Sequence, residues 1–292
     1  MLNLDKIHTN PEKLETLYKF HLALGNDPKI SVKKLHESYS HFSSRQSSIT
    51  LFNYCKEKEI IIGPFLYCNF GLSVIFLKRC RSPLKFLDKF RTGNNPYIYR
   101  ATALCGDYSF MIFSPGKNKI QYAESITPSF PGQKSIPDLT FIFDEKCNLP
   151  VDLYPDGWNG LDWKTFHCMR DPAIPFYKVG SKLKVSWMTV KRHYEKILHD
   201  CKVMVAFFPL GQRGYDQILF VFQTDYEGSL RNSLQQLDRT SYLWKSKDEI
   251  ILTVFTKFYN ETCEKFKEME ENGLIRNLRI STPIRHHVSA LP

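Results

Sequence analysis

Paired cysteines, long apolar runs and catalytic signatures are all missing from this chain. The eight cysteines, at 55, 68, 80, 105, 147, 168, 201 and 263, are never closer than twelve residues, so no CxxC pair points to zinc or redox chemistry. The expectation is free thiols in a reducing cytoplasm, several of them buried. No apolar run approaches the roughly 18 residues that a membrane helix needs. Met1 to Asn10 is polar and carries Asp5, which does not read as a secretory signal. GxGxxG, GxxxxGK[ST], HExxH and GxSxG are all absent. Acid is also short, with 30 Asp+Glu against 40 Lys+Arg, a formal net charge of +10. What remains is 42% hydrophobic and 14% aromatic over 292 residues. That composition supports a buried core, excludes disordered, collagen-like and coiled-coil chains, and suits roughly two domains of about 150 residues.

The charge is uneven. Lys29 to Lys58 holds six bases against two acids, Lys78 to Arg91 six against one, and Phe176 to Lys202 seven against two. Asp138 to Asp162 holds six acids against one lysine. Basic clusters confined to particular segments are the electrostatic footprint of a nucleic-acid binder.

In the first basic segment Leu14, Leu17, Tyr18, His21 and Leu24 recur at helical spacing, and Ser31 caps a short helix with Val32, Leu35 and Tyr39. After a polar break, Ser44 to Glu57 carries Ile49, Phe52 and Cys55 on one face and Arg45, Gln46, Ser47 and Ser48 on the other. Three short helices with a tight break before the third are the helix-turn-helix pattern. Ile60 to Tyr67 then reads as two short strands around Gly63-Pro64, a wing. The pattern returns in Trp163 to Met169, Phe176 to Leu183 and Ser186 to Leu198. In the last of these Trp187, Val190, Tyr194 and Ile197 are expected inward, and Met188, Thr189, Lys191, Arg192 and His193 outward. Val203 to Phe208 and the chain from Tyr215 read as a second hairpin wing. Arg forks onto guanine and Gln onto adenine, so Arg45, Gln46, Ser47, Ser48, Thr189, Lys191 and Arg192 are candidate base contacts. Lys33, Lys34, Lys182, Lys184 and Arg213 are candidate phosphate contacts.

Each wing leads into a strand-rich segment. From Gln217 the order is βαββαβ, a ferredoxin-like unit, and from Leu72 it is βαββ, with the remainder lost in the Pro- and Ser-rich stretch after Ser114. The fold class expected is α+β, with two winged helix-turn-helix modules each followed by a ferredoxin-like βαββ(αβ) module. The boundaries are 1–70, 71–137, a linker at 138–160, 161–216 and 217–292. The third helices start at Ser44 and Ser186, 142 apart, so the chain reads as one unit written twice.

Ser44 to Glu59 running into Ile62-Gly63 and Leu72, and Ser186 to Leu198 running into the Ile218 to Phe222 strand, resemble the Lrp/AsnC feast/famine regulators, with their winged helix and RAM module. The Gly106-Asp107 turn is similar to that family's Gly-Tyr-Asp turn. The resemblance implies a transcriptional regulator that binds double-stranded DNA, here with two winged helices in one chain. That chain would be a monomeric pseudo-dimer, or a homodimer through its ferredoxin-like sheets. It also implies a small-molecule effector at Gly106 and Asp107. The family usually carries one unit per chain, and the second copy has Lys247-Asp248 at its turn.

Two alternatives share the architecture or the size: a plasmid-type replication initiator with tandem winged helices, and an enzyme resembling the sirohaem decarboxylases. With no histidine-rich motif, Asp152, Asp156 and Asp162 read as linker acids and His286-His287 as a solvated tail. The expectation is therefore a cytoplasmic DNA-binding protein that is not an enzyme and carries no cofactor or metal.

Overall fold

The computed structural model describes residues 10–92, 98–129 and 141–288. It is built in two layers, a helical layer of two triads and a sheet layer of eight strands. The first triad is α1 (Pro11–Asn26), α2 (Val32–Tyr39) and α3 (Arg45–Glu57), and the second is α5 (Gly160–Cys168), α6 (Phe176–Leu183) and α7 (Trp187–Leu198). Their starts follow from side chains that satisfy orphan amides: Asn10 accepts from Lys13 N, Ser31 from Lys34 N and Ser186 from Thr189 N. Asn159 and Asp162 form a full capping box on α5.

The wings differ from the sequence expectation. Neither is a hairpin. β1 (Ile61–Tyr67) and β6 (Lys202–Phe207) pair antiparallel with each other, from Ile61 opposite Phe207 to Tyr67 opposite Lys202. Gly63 permits this approach: its φ is +99°, and a Cβ there would sit 2.7 Å from the Met204 carbonyl oxygen. The ribbon exchanges core between the triads. Val205 and Phe207 of β6 pack with Leu17, Phe20, Leu51 and Phe52 of the first triad. Leu66 at the end of β1, and Cys68 after it, pack with Phe166, Val190 and Ile197 of the second.

In the second half β7 (Asp216–Gln223), α8 (Glu227–Gln235), β8 (Tyr242–Ser246), β9 (Glu249–Thr256), α9 (Tyr259–Glu271) and β10 (Arg276–Val288) complete the expected βαββαβ order. The first half contributes β2 (Leu72–Leu77), α4 (Pro83–Thr92), β3 (Arg100–Gly106) and β4 (Phe110–Pro115). Its next strand, β5 (Ile120–Ser125), pairs with β8 of the other half. The sheet order is β2-β4-β3-β10-β7-β9-β8-β5, and a bridge from Ser73 to Lys119 brings its two ends together. The sheet therefore curls around an interior lined by Leu72, Val74, Leu104, Met111, Phe113, Leu219, Val221 and Ile251. Helices cover the outside. Phe266 of α9 stacks on Phe220 at 3.7 Å, and Leu87 of α4 covers Ala101, Ala103 and Phe110. The α+β class with two helix-turn-helix modules, each running into a ferredoxin-like unit, is the observed architecture.

Candidate functional site

Strand alternation decides which side chains enter the curled sheet. On β3 Ala101 and Ala103 face α4, so Arg100, Thr102 and Leu104 face inward. On β8 Leu243 faces the helices, so Tyr242 and Trp244 face inward. On β10 His286 pairs with Thr102 and Val288 with Arg100, which makes His286 a diagonal neighbour of Arg100 on the same face. Phe113, paired with Arg100, meets Trp244 across the interior at 6.0 Å, and Trp244 lies against Tyr242 at 5.8 Å. Arg100, Thr102 and Tyr242 thus share one end of the interior, with His286 exposed at its rim.

The electrostatics of this cluster are uncompensated. The Arg100 Nε is sealed from water without a hydrogen-bond partner, as is the Thr102 hydroxyl. Among the described residues no carboxylate pairs with Arg100. Burial pulls its pKa down, and only the Tyr242 phenol opposes that. Burial raises Tyr242 to about 12 despite the Arg100 charge. His286, at the partly open rim, falls below 6.5 through desolvation and then through Arg100, against the pull of Glu59. Glu59 itself accepts two hydrogen bonds from Arg213, at 3.0 and 3.1 Å. A second cation lies next to the same strand: Arg170 stacks at 4.2 Å on Tyr99, the residue before Arg100, its Nε unpartnered, and burial lowers its pKa to about 10. A buried guanidinium without an anion is costly in an apolar interior, and a carboxylate or phosphate is the group that satisfies its fork of donors.

No protein-family model matches the chain, and no curated protein matches its sequence. The crystal structure of the siroheme decarboxylase NirDL matches at TM-score 0.50 and 9% identity, over 95% of this chain and 92% of that one. The fold is that of NirDL. A second NirDL structure, in co-complex with an iron-uroporphyrin III analogue, aligns at TM-score 0.46 with 9% identity, over 97% of this chain and 91% of that one. The expectation that the chain is not an enzyme is overturned here, because the solved structure whose fold it shares, NirDL, is an enzyme. No helix among the described residues is long and apolar enough to cross a membrane.

The helical layer places the residues singled out for DNA contact as follows. Arg45 and Gln46 are exposed on the first turn of α3, with Ser47 half-buried. Ser48 is fully buried. Its hydroxyl meets His36 Nδ1 at 2.9 Å and Ser40 Oγ at 2.8 Å, which ties α2 to α3 and keeps it from a groove. Lys33 lies 3.7 Å from Glu37, and Lys34, Lys182 and Lys184 are exposed. Thr189 bonds the Ser186 hydroxyl within the cap; Lys191 and Arg192 are exposed beyond it. Arg213 is engaged by Glu59. Trp187, expected inward, is 53% exposed beside Met188 at 56%, because Val190, Tyr194 and Ile197 alone fill the inner stripe of α7. His193, expected outward, bonds Asp162 at 2.6 Å.

The Gly106-Asp107 turn is closed rather than open. The Gly106 φ is +129°, and a Cβ would sit 2.5 Å from the Ile280 oxygen. Asp107 N donates to Ile280 O at 3.0 Å, and Ile280 N donates to Asp107 Oδ2 at 2.8 Å. The turn is a clasp on β10. Two further readings change. Asp162 is no linker acid but the buried N3 residue of α5, held by His193, Lys196 Nζ at 2.6 Å and Asn159 N at 2.9 Å. His286 is no tail residue but part of β10. Arg100 was missed altogether, although a lone arginine inside the alternating run Ile98 to Leu104 was the signal.

Proposed function

We propose that this chain is an enzyme that takes a large, carboxylate-bearing ligand at the Arg100 end of its curled sheet, with a siroheme-type tetrapyrrole as the ligand class and decarboxylation as the reaction. The observation that carries the reading is Arg100, half-buried on the inner face of the sheet with its Nε sealed from water and, among the described residues, no carboxylate paired with it. A polycarboxylated macrocycle supplies anions for Arg100 and Arg170 and a flat ring for the Phe113, Trp244 and Tyr242 faces. The fold shared with NirDL supports the reaction class. In a decarboxylation the carbon–carbon bond electrons pass into the macrocycle as carbon dioxide leaves, and a proton takes the vacated position. His286 and Tyr242 are the groups placed to deliver that proton. The test is titration with siroheme, followed by the absorbance of the ligand and by mass spectrometry of the product. Expected are saturable binding and loss of carbon dioxide, both abolished in Arg100→Met. Equal binding by wild type and Arg100→Met overturns the reading.

DNA contact through the helical layer is a second reading, supported by the exposed bases Arg45, Lys34, Lys191 and Arg192 on α2, α3 and α7. The repeat of triad, ribbon strand and βαββ order supports reading the chain as a tandem of one unit, its own pseudo-dimer. A mobility-shift assay over a range of salt tests the contact, with Arg45→Ala and Arg192→Ala each expected to weaken specific binding by about 1–3 kcal/mol. The absence of any shift at low salt ends it.

A further inference from the structure

The register of the ribbon brings two cysteines together. Tyr67 of β1 lies opposite Lys202 of β6. One residue further along the same antiparallel register, Cys68 faces Cys201. Residues directly opposite in such a ladder have Cα atoms about 4.5–5.5 Å apart, inside the window that a disulfide spans, about 4.4–6.8 Å. Both residues line one cleft of about 320 Å³, together with Asn69, Asp152, His199 and Lys202. Both are free thiols; Cys68 is buried and Cys201 half-buried at the cleft wall. The Cys201 side chain and then burial push the Cys68 thiol up, against the Arg170 charge, so Cys68 stays protonated at rest and lies within hydrogen-bond reach of Cys201.

We propose that Cys68 and Cys201 form a reversible dithiol–disulfide site that exchanges with small-molecule disulfides entering the cleft. Cys201 is the attacking thiol, since it is the one the cleft exposes. As thiolate it attacks one sulfur of a glutathione-type disulfide, releasing one glutathione thiolate, which takes up the proton Cys201 gave. Cys68 then gives its proton to the departing glutathione sulfur as its own sulfur attacks that of Cys201, so the Cys201–glutathione bond breaks, the Cys68–Cys201 bond forms and the second glutathione leaves as thiol. Two protein thiols are oxidised, and one disulfide is reduced to two thiols. Lys202 is paired with Asp152 at 2.5 Å and Asp200 lines the same wall, so the cleft holds no excess positive charge and excludes no small disulfide by attraction or repulsion of one sign alone.

The position gives the bond a structural consequence. Cys68 ends the ribbon and begins the short passage Asn69-Phe70-Gly71 into β2, and Phe70 packs on Tyr99 at 5.6 Å and against His167 at 6.2 Å. A disulfide there pins the junction between helical layer and sheet layer beside Arg170. The site is independent of the ligand proposed above.

The experiment equilibrates the full chain with defined ratios of reduced and oxidised glutathione, blocks remaining thiols by alkylation, and maps disulfides by peptide mass spectrometry. The expected product is a peptide pair linked through Cys68 and Cys201, disappearing on reduction and absent in Cys201→Ser. Cys68→Ser should instead trap glutathione on Cys201. Should burial make Cys68→Ser unstable, the wild-type map alone decides. A wild-type chain that accumulates a persistent Cys201–glutathione adduct, links other cysteines in preference, or stays fully reduced when glutathione is fully oxidised overturns the proposal.

Discussion

Replacing Arg100 by methionine should make the protein more stable and less capable of binding its ligand. Methionine fills the same elongated volume without charge or donors. In the empty protein the arginine leaves one buried donor unsatisfied, a penalty of about 1–3 kcal/mol, and holds a desolvated charge with no acid beside it. Apolar replacement of buried ionic groups is neutral or stabilising by about 1–4 kcal/mol where packing is kept. Phe113 is the β4 strand partner of Arg100 on the same face, so a methionine there keeps an apolar neighbour. A gain of about 1–2 kcal/mol is expected, which for a chain of this size raises the melting temperature by about 2–6 °C. Binding moves the opposite way. Loss of a charge-assisted carboxylate contact costs about 1.5–3 kcal/mol, or about 10- to 150-fold in affinity. Thermal denaturation of the ligand-free protein reads the first quantity and absorbance titration with siroheme the second. A variant that melts lower and binds as tightly as wild type refutes the argument, because Arg100 would then be a structural residue whose partner the energetics had missed.

Other consequences follow from named groups. Asp162→Ala removes the acceptor of His193, Lys196 and the Asn159 amide at once; a loss of about 2–4 kcal/mol in denaturant unfolding is expected, since His193 stays buried without its partner. Burial alone would raise the Asp162 pKa, but the bonds to His193 and Lys196 hold it below 3.8. Its contribution is therefore present above that pH and lost as pH falls through the lower folded value. His21 is buried with an unpartnered Nδ1, and burial lowers its pKa from 6.5 to about 4. The unfolded chain takes up the proton first, so stability is complete above pH 6.5 and falls by about 3 kcal/mol on the way to pH 4. His21→Leu should flatten that part of the pH–stability curve, and an unchanged slope would count against it. At the rim of the interior His286 faces Arg100, Glu59 and its neighbour His287. A carboxylate bound at Arg100 cancels the cation that holds the imidazole down, so protons are taken up with ligand. Affinity should rise as pH falls through the mildly acid range, a dependence lost in His286→Gln and visible by titration at several pH values.

Helices and strands were readable because each carries its own period and stop signals. Ser31, Ser186 and the Leu230–Leu234–Leu237 stripe are local, and the βαββαβ order from Gln217 follows from them. Partner choice was not readable. β1 and β6 look like hairpin arms, since nothing in Ile60 to Tyr67 shows that its partner lies some 140 residues on, and β5 crosses to the other half by a register that only the folded sheet defines. The candidate site failed to show for the same reason. Arg100, His286 and Tyr242 come from three distant segments, and each alone reads as a surface charge, a tail or a strand aromatic. The cysteines are the sharpest case: the absence of CxxC excludes a local pair, while the ribbon register assembles one from Cys68 and Cys201.

The 142-residue offset between Ser44 and Ser186 also relates the walls of the interior. Arg100 opens β3 and Tyr242 opens β8, and these positions differ by the same offset, as do Thr102 and Trp244, and Phe113 and Phe255. Arg100 lies near Tyr242, so in a symmetric homodimer of one unit the first of these positions would lie near its own copy. An arginine at the first would then meet a second arginine inside the same apolar space, two desolvated like charges whose repulsion at an effective dielectric of about 20 is several kcal/mol. If the two halves are copies of one unit, as proposed, joining them in one chain would remove that constraint. One unit keeps the cation, the other presents a neutral phenol and an indole toward it, and the interior acquires a charged end and an aromatic wall. A ligand held there has one orientation in place of two equivalent ones. Under the proposed reading, such an asymmetric site would direct chemistry to one carboxylate among several on a macrocycle.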